Sequence, residues 1–466
     1  MHIPPSIRRP IGRLVILAAG AALLQAQDRS ARIAGFAKIV HPIRSIDPSI
    51  AKDDFADLKP LKTAIRDARV VVLGEESHGD GAAFLAKVRL VKFLHQTMGF
   101  DVLAWEAGLF NCQDMDAAVR DPLVPLKDAI GRGMYPIWGS SAQVRPVFEY
   151  ARSIAKTNRP LEMIGFDHQF SGVRGPGMRW RDAMIAFIDK AGQEILTGPL
   201  RASLMNDASL VFSGEAGPAA IRSVEEKWKA LPILLDSARA KLESAHGPRL
   251  VGMMRRTADD AITSLEGLAR FRESGGKFQA VDNNLRDRRM AENLIWLAND
   301  RYMGRRIIVW AASFHALREP SAIDLSADST FSYKGVVTMG QVAGRTFGRQ
   351  MYTLGFTAAE GAAGNAMGSQ TAQVKTPEDG SLEDLFVQLG HRFSFVDFRS
   401  LPEAAGWLRR ATSARMLAYS PIETDWTRQF DGVVFTRTMF PSSTDSMAPD
   451  GAVLSDLYID PRNGVR

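Results

Sequence analysis

The sequence predicts an α/β protein with a mostly parallel sheet, helices on both faces of that sheet, and a helical insertion between the third and fourth strands. Apolar segments of strand length recur along the chain, and amphipathic segments of helix length lie between them. Most strand segments are apolar along nearly their whole length, which is typical of parallel strands buried on both faces. The alternation of strand and helix favours right-handed crossover connections.

The strands are predicted from runs of apolar residues. After the first run, apolar residues recur at three- and four-residue spacing and predict a helix from Gly81 to Met98. The predicted strands are Val70–Leu73, Val102–Trp105, Leu161–Phe166, Arg306–Ala311, Met351–Gly355, Phe393–Phe398, Arg415–Ala418 and Gly432–Phe435.

Long amphipathic stretches without a strand interrupt this alternation in the middle of the chain. Small residues around Glu360–Gln373 predict an exposed loop. The predicted divisions are a signal peptide at 1–26, the first part of an α/β catalytic core at 27–177, a helical insertion at 178–303, the second part of the core at 304–440, and a C-terminal tail at 441–466.

The N-terminus has the three parts of an export signal. Three arginines precede an apolar segment of eleven residues, Leu14–Leu24, and Leu24-Gln25-Ala26 offers a cleavage site. The apolar segment is too short to span a bilayer, and no later segment approaches the roughly 20 residues that a transmembrane helix needs. We therefore expect a periplasmic or secreted protein without a stable membrane span. An uncleaved membrane anchor is the alternative.

Charge and cysteine content exclude several classes of protein. The formal net charge of the 466 residues is +6, and removal of the predicted signal peptide, with its three arginines and no acid, leaves +3. This charge is too small to indicate a nucleic-acid partner. Cys112 is the only cysteine, so neither an intramolecular disulfide nor a zinc site built on several cysteines is possible.

Acids and histidines stand where several predicted strands end. Because the carboxyl ends of parallel strands meet at one edge of an α/β sheet, we expect these side chains to converge there and form an active site. The positions are Glu75 and His78 after the first strand, Glu106 after the second, Asp167 and His168 after the third, and His315 after the fourth.

His78 is the candidate proton acceptor in this group. It lies near the start of the helix predicted from Gly81, whose dipole disfavours imidazolium, while the neighbouring Glu75 favours it. A histidine under these opposing influences can exchange a proton near neutral pH, although it could also simply cap a turn. Glu106 would be costly to bury unpaired, and His78 is its expected partner if their strands are neighbours.

Motifs for other activities are incomplete or missing. The segment Gly79-Asp80-Gly81-Ala82-Ala83-Phe84 lacks the third glycine of a dinucleotide-binding fingerprint, and Glu75 and Glu76 beside it would repel a pyrophosphate. The sequence contains no Gly-x-Ser-x-Gly nucleophile elbow, no Walker A loop and no His-Glu-x-x-His motif. Histidine with carboxylates remains, which suits direct activation of water.

The ordered motifs resemble those of the erythromycin esterase family, from about residue 40 to 437. They are Gly74-Glu75-x-x-His78-Gly79, Glu106 after its strand, Tyr135-Pro136-Ile137-Trp138, Val144-Arg145-Pro146-Val147, Gly165-Phe166-Asp167, Arg286-Asp287-Arg288-Arg289-Met290-Ala291-Glu292-Asn293, Ile307-Ile308-Val309-Trp310 up to His315, Gly380-Ser381-Leu382-Glu383 and Val396-Asp397-Phe398.

The resemblance implies hydrolysis of a small-molecule ester or lactone without metal, cofactor or covalent intermediate. By this analogy His78 is the general base, and Glu75 and Glu106 orient it and hold the water. His315 would assist at the carbonyl oxygen or the leaving alcohol, and Lys87 would complement the charge. The substrate is expected to contact Asp167, His168 and Trp138.

The sequence departs from the family pattern in places that bear on the substrate. Gly139-Ser140-Ser141 stands where relatives often carry an Arg-Asn-containing stretch, and His168 where they tend to have an apolar or aromatic residue. Antibiotic resistance is therefore one possible role among several.

Two other functions stay open at this point. The histidines and acids could be ligands of a metal ion in a metallohydrolase. Alternatively, the chain could bind haem or another small molecule, with His78 or His315 as an axial ligand.

Overall fold

The computed structural model describes residues 27–173, 175–213, 215–325, 331–364 and 371–444. The predicted signal peptide and the predicted tail from residue 445 onward lie outside these ranges. Within them, no helix combines the length and the apolar character needed to cross a membrane.

The described strands form a mixed α/β fold around one large, mostly parallel sheet. Its order is β1-β8-β11-β6-β2-β5-β3-β4, with β7 paired to β6, and β9 and β10 form a separate pair. The six strands from β11 to β4 are mutually parallel, whereas β1, β7 and β8 pair antiparallel. The strands are β1 Val40–Pro42, β2 Val70–Leu73, β3 Phe100–Gly108, β4 Glu162–Asp167, β5 Arg306–Trp310, β6 Met351–Ala363, β7 Ala372–Val374, β8 Phe393–Asp397, β9 Thr412–Ala414, β10 Ile422–Thr424 and β11 Gly432–Met439.

Helices connect most of these strands. Residues 27–37 are also helical, and short 3₁₀ or π segments join several elements. The helices are α1 Lys59–Ile65, α2 Gly81–Met98, α3 Leu109–Arg120, α4 Leu126–Gly131, α5 Pro136–Gly139, α6 Arg145–Ser153, α7 Pro176–Ala191, α8 Gly198–Phe212, α9 Pro218–Trp228, α10 Ala230–Ser237, α11 Arg239–His246, α12 Pro248–Glu273, α13 Asn284–Trp296, α14 Ser313–Ala316, α15 Met339–Phe347 and α16 Leu382–Gln388.

The two faces of the sheet bury separate hydrophobic cores, because successive side chains of a strand point to opposite sides. Leu73 and Trp105 belong to the core that contains α2, which we call the first core. Val72 and Ala104, one residue earlier on the same strands, belong to the core that contains α13, which we call the second core.

The segment between β4 and β5 is helical throughout its regular elements, from α7 to the π segment Leu297–Arg301. It has a hydrophobic core of its own, centred on Trp180 and Trp228, whose rings lie 5.5 Å apart. Helices α7 to α12 therefore pack mainly on one another, whereas α13 packs on the second core of the sheet.

Two sequence-based predictions about strands and loops are wrong. Residues 415–418 are not a strand, because the chain turns there and Ala418 and Tyr419 have φ angles of 49° and 57°. The exposed loop predicted around Glu360–Gln373 is too long at both ends, because β6 continues to Ala363 and β7 spans Ala372–Val374. Strands β2 and β3 are not neighbours, since β5 lies between them and pairs with both, so the condition for a contact between Glu106 and His78 is not met.

Candidate active site

The acids and histidines lie at the carboxyl edge of the four parallel strands β2, β3, β4 and β5, as the strand ends predict. Gly74, directly after β2, packs closely on the neighbouring backbone. A Cβ at this position would lie 2.7 Å from Ser313 Oγ and 3.0 Å from Leu354 O, so a larger residue would not fit without displacement. The next residue, Glu75, faces the first core. Glu106, which follows Ala104 by two residues, faces α13 on the second core.

Glu75 is a buried carboxylate that holds four hydrogen-bond donors. Oε1 accepts from His78 Nδ1 at 2.7 Å and from Trp138 Nε1 at 3.2 Å. Oε2 accepts from Lys87 Nζ at 2.6 Å and from Trp310 Nε1 at 3.0 Å. The charge of Lys87 and the two indoles offset the cost of burying this carboxylate, so its position behind His78 is closely defined.

His78 lines an adjoining cavity, and among the described residues only its Nδ1 has a hydrogen-bond partner. Its Nδ1 hydrogen is donated to Glu75, so in the neutral ring Nε2 carries the lone pair. The side chain is 30 % exposed, and the Trp138 ring stands edge-on to it at 5.3 Å. Burial alone would lower the pKa of His78, but the hydrogen bond and charge of Glu75 outweigh it and raise that pKa above 6.5. This arrangement suits a general base.

A second cluster surrounds Arg286 on α13. Its Nη2 donates to Glu106 Oε1 at 2.8 Å, and Nε and Nη2 donate to Asp167 Oδ2 at 2.9 and 2.6 Å. Glu106 Oε2 accepts the Ala312 amide at 2.8 Å. Burial opposes ionisation of Glu106, but the charges of His315 and Arg286 hold its pKa well below the usual range.

His315 differs from His78 because both of its nitrogens face carboxylates. Nδ1 lies 2.9 Å from each oxygen of Asp287, and Nε2 lies 3.3 Å from Glu106 Oε1. Burial favours the neutral ring, yet Asp287 and Glu106 raise the pKa of His315 to about 10. The raised pKa favours the imidazolium, whereas the hydrogen bond that Arg286 Nη1 directs at Nε2, at 3.1 Å, requires a lone pair on that nitrogen. In either form both nitrogens of His315 are engaged by neighbouring side chains.

The structure corrects several roles predicted for single residues. Glu106 bonds to Arg286 and His315 rather than to His78, because β5 separates their strands. Asp167 and Trp138 were expected to contact the substrate, but both are almost fully buried and their polar groups are bonded to Arg286 and Glu75, so they position these residues instead. Lys87 is buried as well and is bonded to Glu75. Burial also lowers the pKa of Lys87.

Sequence reasoning did not single out Arg286 and Asp287 as site residues. A usable signal exists, because Asp287 stands three and four residues before Met290 and Ala291 on the buried side of α13. A charged residue within an apolar helix stripe requires a buried partner. That partner is His315, which is distant in sequence.

Few side-chain atoms of this cluster are available to bind a metal ion. The oxygens of Glu75, Glu106 and Asp287 already accept from lysine, arginine, histidine, indole or amide groups. Across the described ranges, no group of three or more His, Cys, Asp and Glu side chains is arranged to hold a metal ion. The donor set therefore does not favour the metallohydrolase alternative, and His315, already bonded through both nitrogens, does not favour an axial haem ligand.

Comparison with known proteins agrees with the resemblance found in the sequence. A family model described as erythromycin esterase matches residues 95–439. The chain belongs to the erythromycin esterase family. The matched segment contains Glu106, Asp167, Arg286 and His315, and begins after His78.

Relatives of this erythromycin esterase family member are themselves hydrolases by name. YbfO of Bacillus subtilis (strain 168), named as a hydrolase, is 26% identical over 402 residues, which cover 83% of this chain and 87% of YbfO. Erythromycin esterase type II of Escherichia coli is 24% identical over 373 residues, 75% of this chain and 85% of that protein. A solved structure of a mutant erythromycin esterase EreC in its open conformation has a TM-score of 0.64 at 18% identity, covering 87% of this chain and 98% of that chain. That similarity shows the mixed α/β fold.

Two cavities open near the cluster of acids and histidines of this erythromycin esterase family member. The first, of about 750 Å³, is lined by Glu75, Glu76 and His78 on one side and by Phe314, Tyr333 and Leu417 on the other. The second, of about 860 Å³, is lined by His168 and Arg286 and by helices between β4 and β5. His78 therefore lines the first cavity and Arg286 lines the second, although both residues belong to the same group at the carboxyl edge of the sheet.

Glu76 is a buried acid without a partner. Within the described chain, neither carboxyl oxygen has a hydrogen bond. Burial and the neighbouring Asp80 raise the pKa of Glu76 well above 4.5. The folded state therefore holds the carboxyl proton of Glu76 more tightly than the unfolded chain does. Protonation of Glu76 stabilises the fold fully below about pH 4.5, and this contribution to the free energy of unfolding is lost as the pH rises through the raised pKa.

We therefore expect Glu76→Gln to stabilise the protein at pH 8, since the amide carries no charge to bury. The melting temperature should exceed that of the wild-type protein at pH 8, and the difference should vanish below pH 4.5, measured by thermal unfolding. Glu403→Gln, at an exposed position, is the control and should show no such dependence. A lower melting temperature of Glu76→Gln at pH 8 would contradict the assignment.

Proposed function

We propose that the protein hydrolyses a carboxylic ester or lactone with water activated by His78, without a metal ion or a covalent enzyme intermediate. The observation that carries this proposal is the difference between the two histidines. His78 Nε2 has no hydrogen-bond partner among the described residues and its ring lines a cavity, whereas both nitrogens of His315 are engaged by Asp287, Glu106 and Arg286. His78 can therefore take a proton from water, and His315 has no nitrogen available to do so.

The proposed reaction begins with a water molecule on His78 Nε2. As the water oxygen bonds to the ester carbonyl carbon, its proton passes to Nε2 and the carbonyl electron pair moves onto oxygen. Glu75 stabilises the imidazolium through Nδ1. When the tetrahedral intermediate collapses, the bond to the alkoxy oxygen breaks and His78 returns the proton to that oxygen. The products are a carboxylic acid and an alcohol.

Arg286 is the proposed stabiliser of the oxyanion. Nε and Nη2 are bonded to carboxylates, whereas among the described residues Nη1 is bonded only to His315. Nη1 carries two hydrogens, so one of them remains available for a substrate oxygen. His315 itself would need to leave Glu106 to donate, so we assign it the role of holding Glu106 and Arg286 in place.

We expect the rate to rise with pH through the pKa of His78, because only the neutral ring accepts a proton. Glu75 raises that pKa above 6.5, so the midpoint of the acid limb should lie above pH 6.5. Glu75→Gln removes the charge that raises it, and the limb should move to lower pH while the rate falls. The measurement is kcat/KM against pH for an accepted ester, in buffer with a chelator. An unmoved limb in folded Glu75→Gln would contradict this role.

We also propose that the protein is exported to the periplasm or the medium, and that the helices between β4 and β5 form one wall of the substrate cleft. The export proposal rests on the basic and apolar segments before Gln27. N-terminal sequencing of the exported protein should begin near Gln27. A sequence beginning at Met1 would contradict cleavage.

A further inference from the structure

A pocket that contains several arginines lies beside α15, apart from the two cavities described above. Its volume is about 510 Å³, and none of its lining residues lines the cavity of His78 or that of Arg286. Residues of α15 and of the short segment Pro320–Ala322 form much of its wall. The charged residues of the lining are Arg318, Arg345, Arg428 and Glu319. Three cations therefore share this pocket with one acid.

The acid of this pocket is already neutralised by one of its arginines. Glu319 forms an ion pair with Arg428. The backbone amide and carbonyl of Glu319 are both bonded to the side chain of Gln429, which holds this part of the chain in place. The other two arginines of the lining, Arg318 and Arg345, therefore need negative charge from another source.

Arg318 shares its carboxylate with a second arginine. It is paired with Asp431, but Asp431 also accepts from Arg399 at 2.6 and 3.0 Å and from the Thr353 amide at 2.8 Å. One carboxylate thus serves two guanidinium groups. The Nε of Arg318 is buried and has no hydrogen-bond partner among the described residues. Because a buried donor without a partner is costly, an added acceptor at this guanidinium would be stabilising.

Arg345 has no ionic partner within the described chain. Helix α15, on which it lies, contains no acid, and its guanidinium is exposed. The neighbouring Gly344 leaves the space beside Arg345 open, since a Cβ there would meet only Arg318 Cγ outside its own helix, at 3.9 Å. Arg345 is therefore available to bind an anion that enters the pocket.

We propose that this pocket binds a phosphate monoester of a small organic molecule, with its phosphate group between Arg318 and Arg345. Guanidinium groups present paired N–H donors that match two phosphate oxygens. Three arginines and one glutamate give the lining an excess of two positive charges, which a phosphate dianion balances. An inorganic phosphate ion would leave most of the volume empty, so the organic group of an ester fits the remainder. This site is independent of the proposed ester hydrolysis.

The test is calorimetric titration of the purified full chain with phenyl phosphate at pH 8 and low ionic strength, where the phosphate is doubly charged and little screened. We expect binding at one site. Inorganic phosphate should compete for this site with an affinity lower by about 10-fold or more, because it has no apolar group to bury. Phenol, which has no anionic group, should not bind. Absence of phenyl phosphate binding, or equal affinities of the two phosphates, would overturn the proposal.

Variants of two lining residues locate the site without changing the acids and histidines at the edge of the sheet. Arg345→Met removes an exposed guanidinium and should weaken phenyl phosphate binding by about 10-fold or more, as expected for a charge-assisted contact. Gly344→Glu adds a carboxylate beside Arg318 and Arg345 and should abolish binding. Gly344→Gln occupies the same space without a charge, so it should bind phenyl phosphate more tightly than Gly344→Glu does.

The control is Arg409→Met, at an exposed arginine outside the pocket, which should bind phenyl phosphate as the wild-type protein does. Melting temperatures verify that each variant is folded. Gly344 lies within α15 and has open space beside it, so neither replacement there should lower the melting temperature. Undiminished binding by folded Arg345→Met and Gly344→Glu would place phenyl phosphate elsewhere on the protein and so contradict the assignment of this pocket.

Discussion

Replacing His78 with alanine should lower the turnover of any accepted ester by about 100-fold or more, the usual contribution of a positioned general base. The reason is that Nε2 takes the proton from water in the proposed mechanism, while both nitrogens of His315 face carboxylates. Folding should survive, because the side chain is 30 % exposed and removes little apolar area. The measurement is kcat of purified variants, with the melting temperature determined in parallel.

His78→Asn separates orientation from proton transfer. Its amide can still donate to Glu75 from near the position of Nδ1, but it has no atom in the position of Nε2 that accepts a proton. We expect it to be as slow as His78→Ala. His391→Ala, at a half-buried histidine in the turn before β8, is the matched control and should retain activity. Wild-type turnover by a folded His78→Ala would remove the proposed mechanism.

Replacing Arg286 with methionine should have the largest effect on stability. The methionine fills part of the same space but leaves Glu106 and Asp167 buried without their shared cation. Breaking a buried ion pair in this way typically costs about 3–5 kcal/mol of unfolding free energy. The deficit should shrink under acid conditions, because the stranded carboxylates can then take up protons. Denaturant unfolding at several pH values measures both effects.

Arg286→Lys tests the second role of this residue. Lysine keeps the positive charge but not the planar fork that reaches two carboxylates and still directs Nη1 outward. We expect a smaller loss of stability than in Arg286→Met, together with a loss of kcat. Arg239→Met, which breaks ion pairs with Asp236 and Glu243 at the surface, should change stability little. Full stability in Arg286→Met would show that the two carboxylates do not depend on this cation.

Strand ends were predictable because the evidence for them is local. A run such as Val70–Leu73 is apolar at every position, which predicts a buried parallel strand. Glu75 follows this run after one glycine and is therefore expected at the edge of the sheet. The helix Gly81–Met98 was predicted with the bounds that the structure shows. The segment at Arg415–Ala418 was misjudged, since an apolar run does not reveal that Ala418 and Tyr419 adopt left-handed φ angles.

The sequence by itself determined the family, the parallel strands and the edge at which Glu75, His78, Glu106 and His315 gather. It did not determine the role of each, because a role depends on which hydrogen-bond partners come from elements distant in the chain. Strand order placed β5 between β2 and β3 and so separated Glu106 from His78. Packing of α13 on the second core then brought Arg286 and Asp287 to His315, leaving His78 with the unoccupied nitrogen. Burial determines these pairings, because a charged group removed from water needs a charged or hydrogen-bonding partner, and that partner can come from any part of the chain.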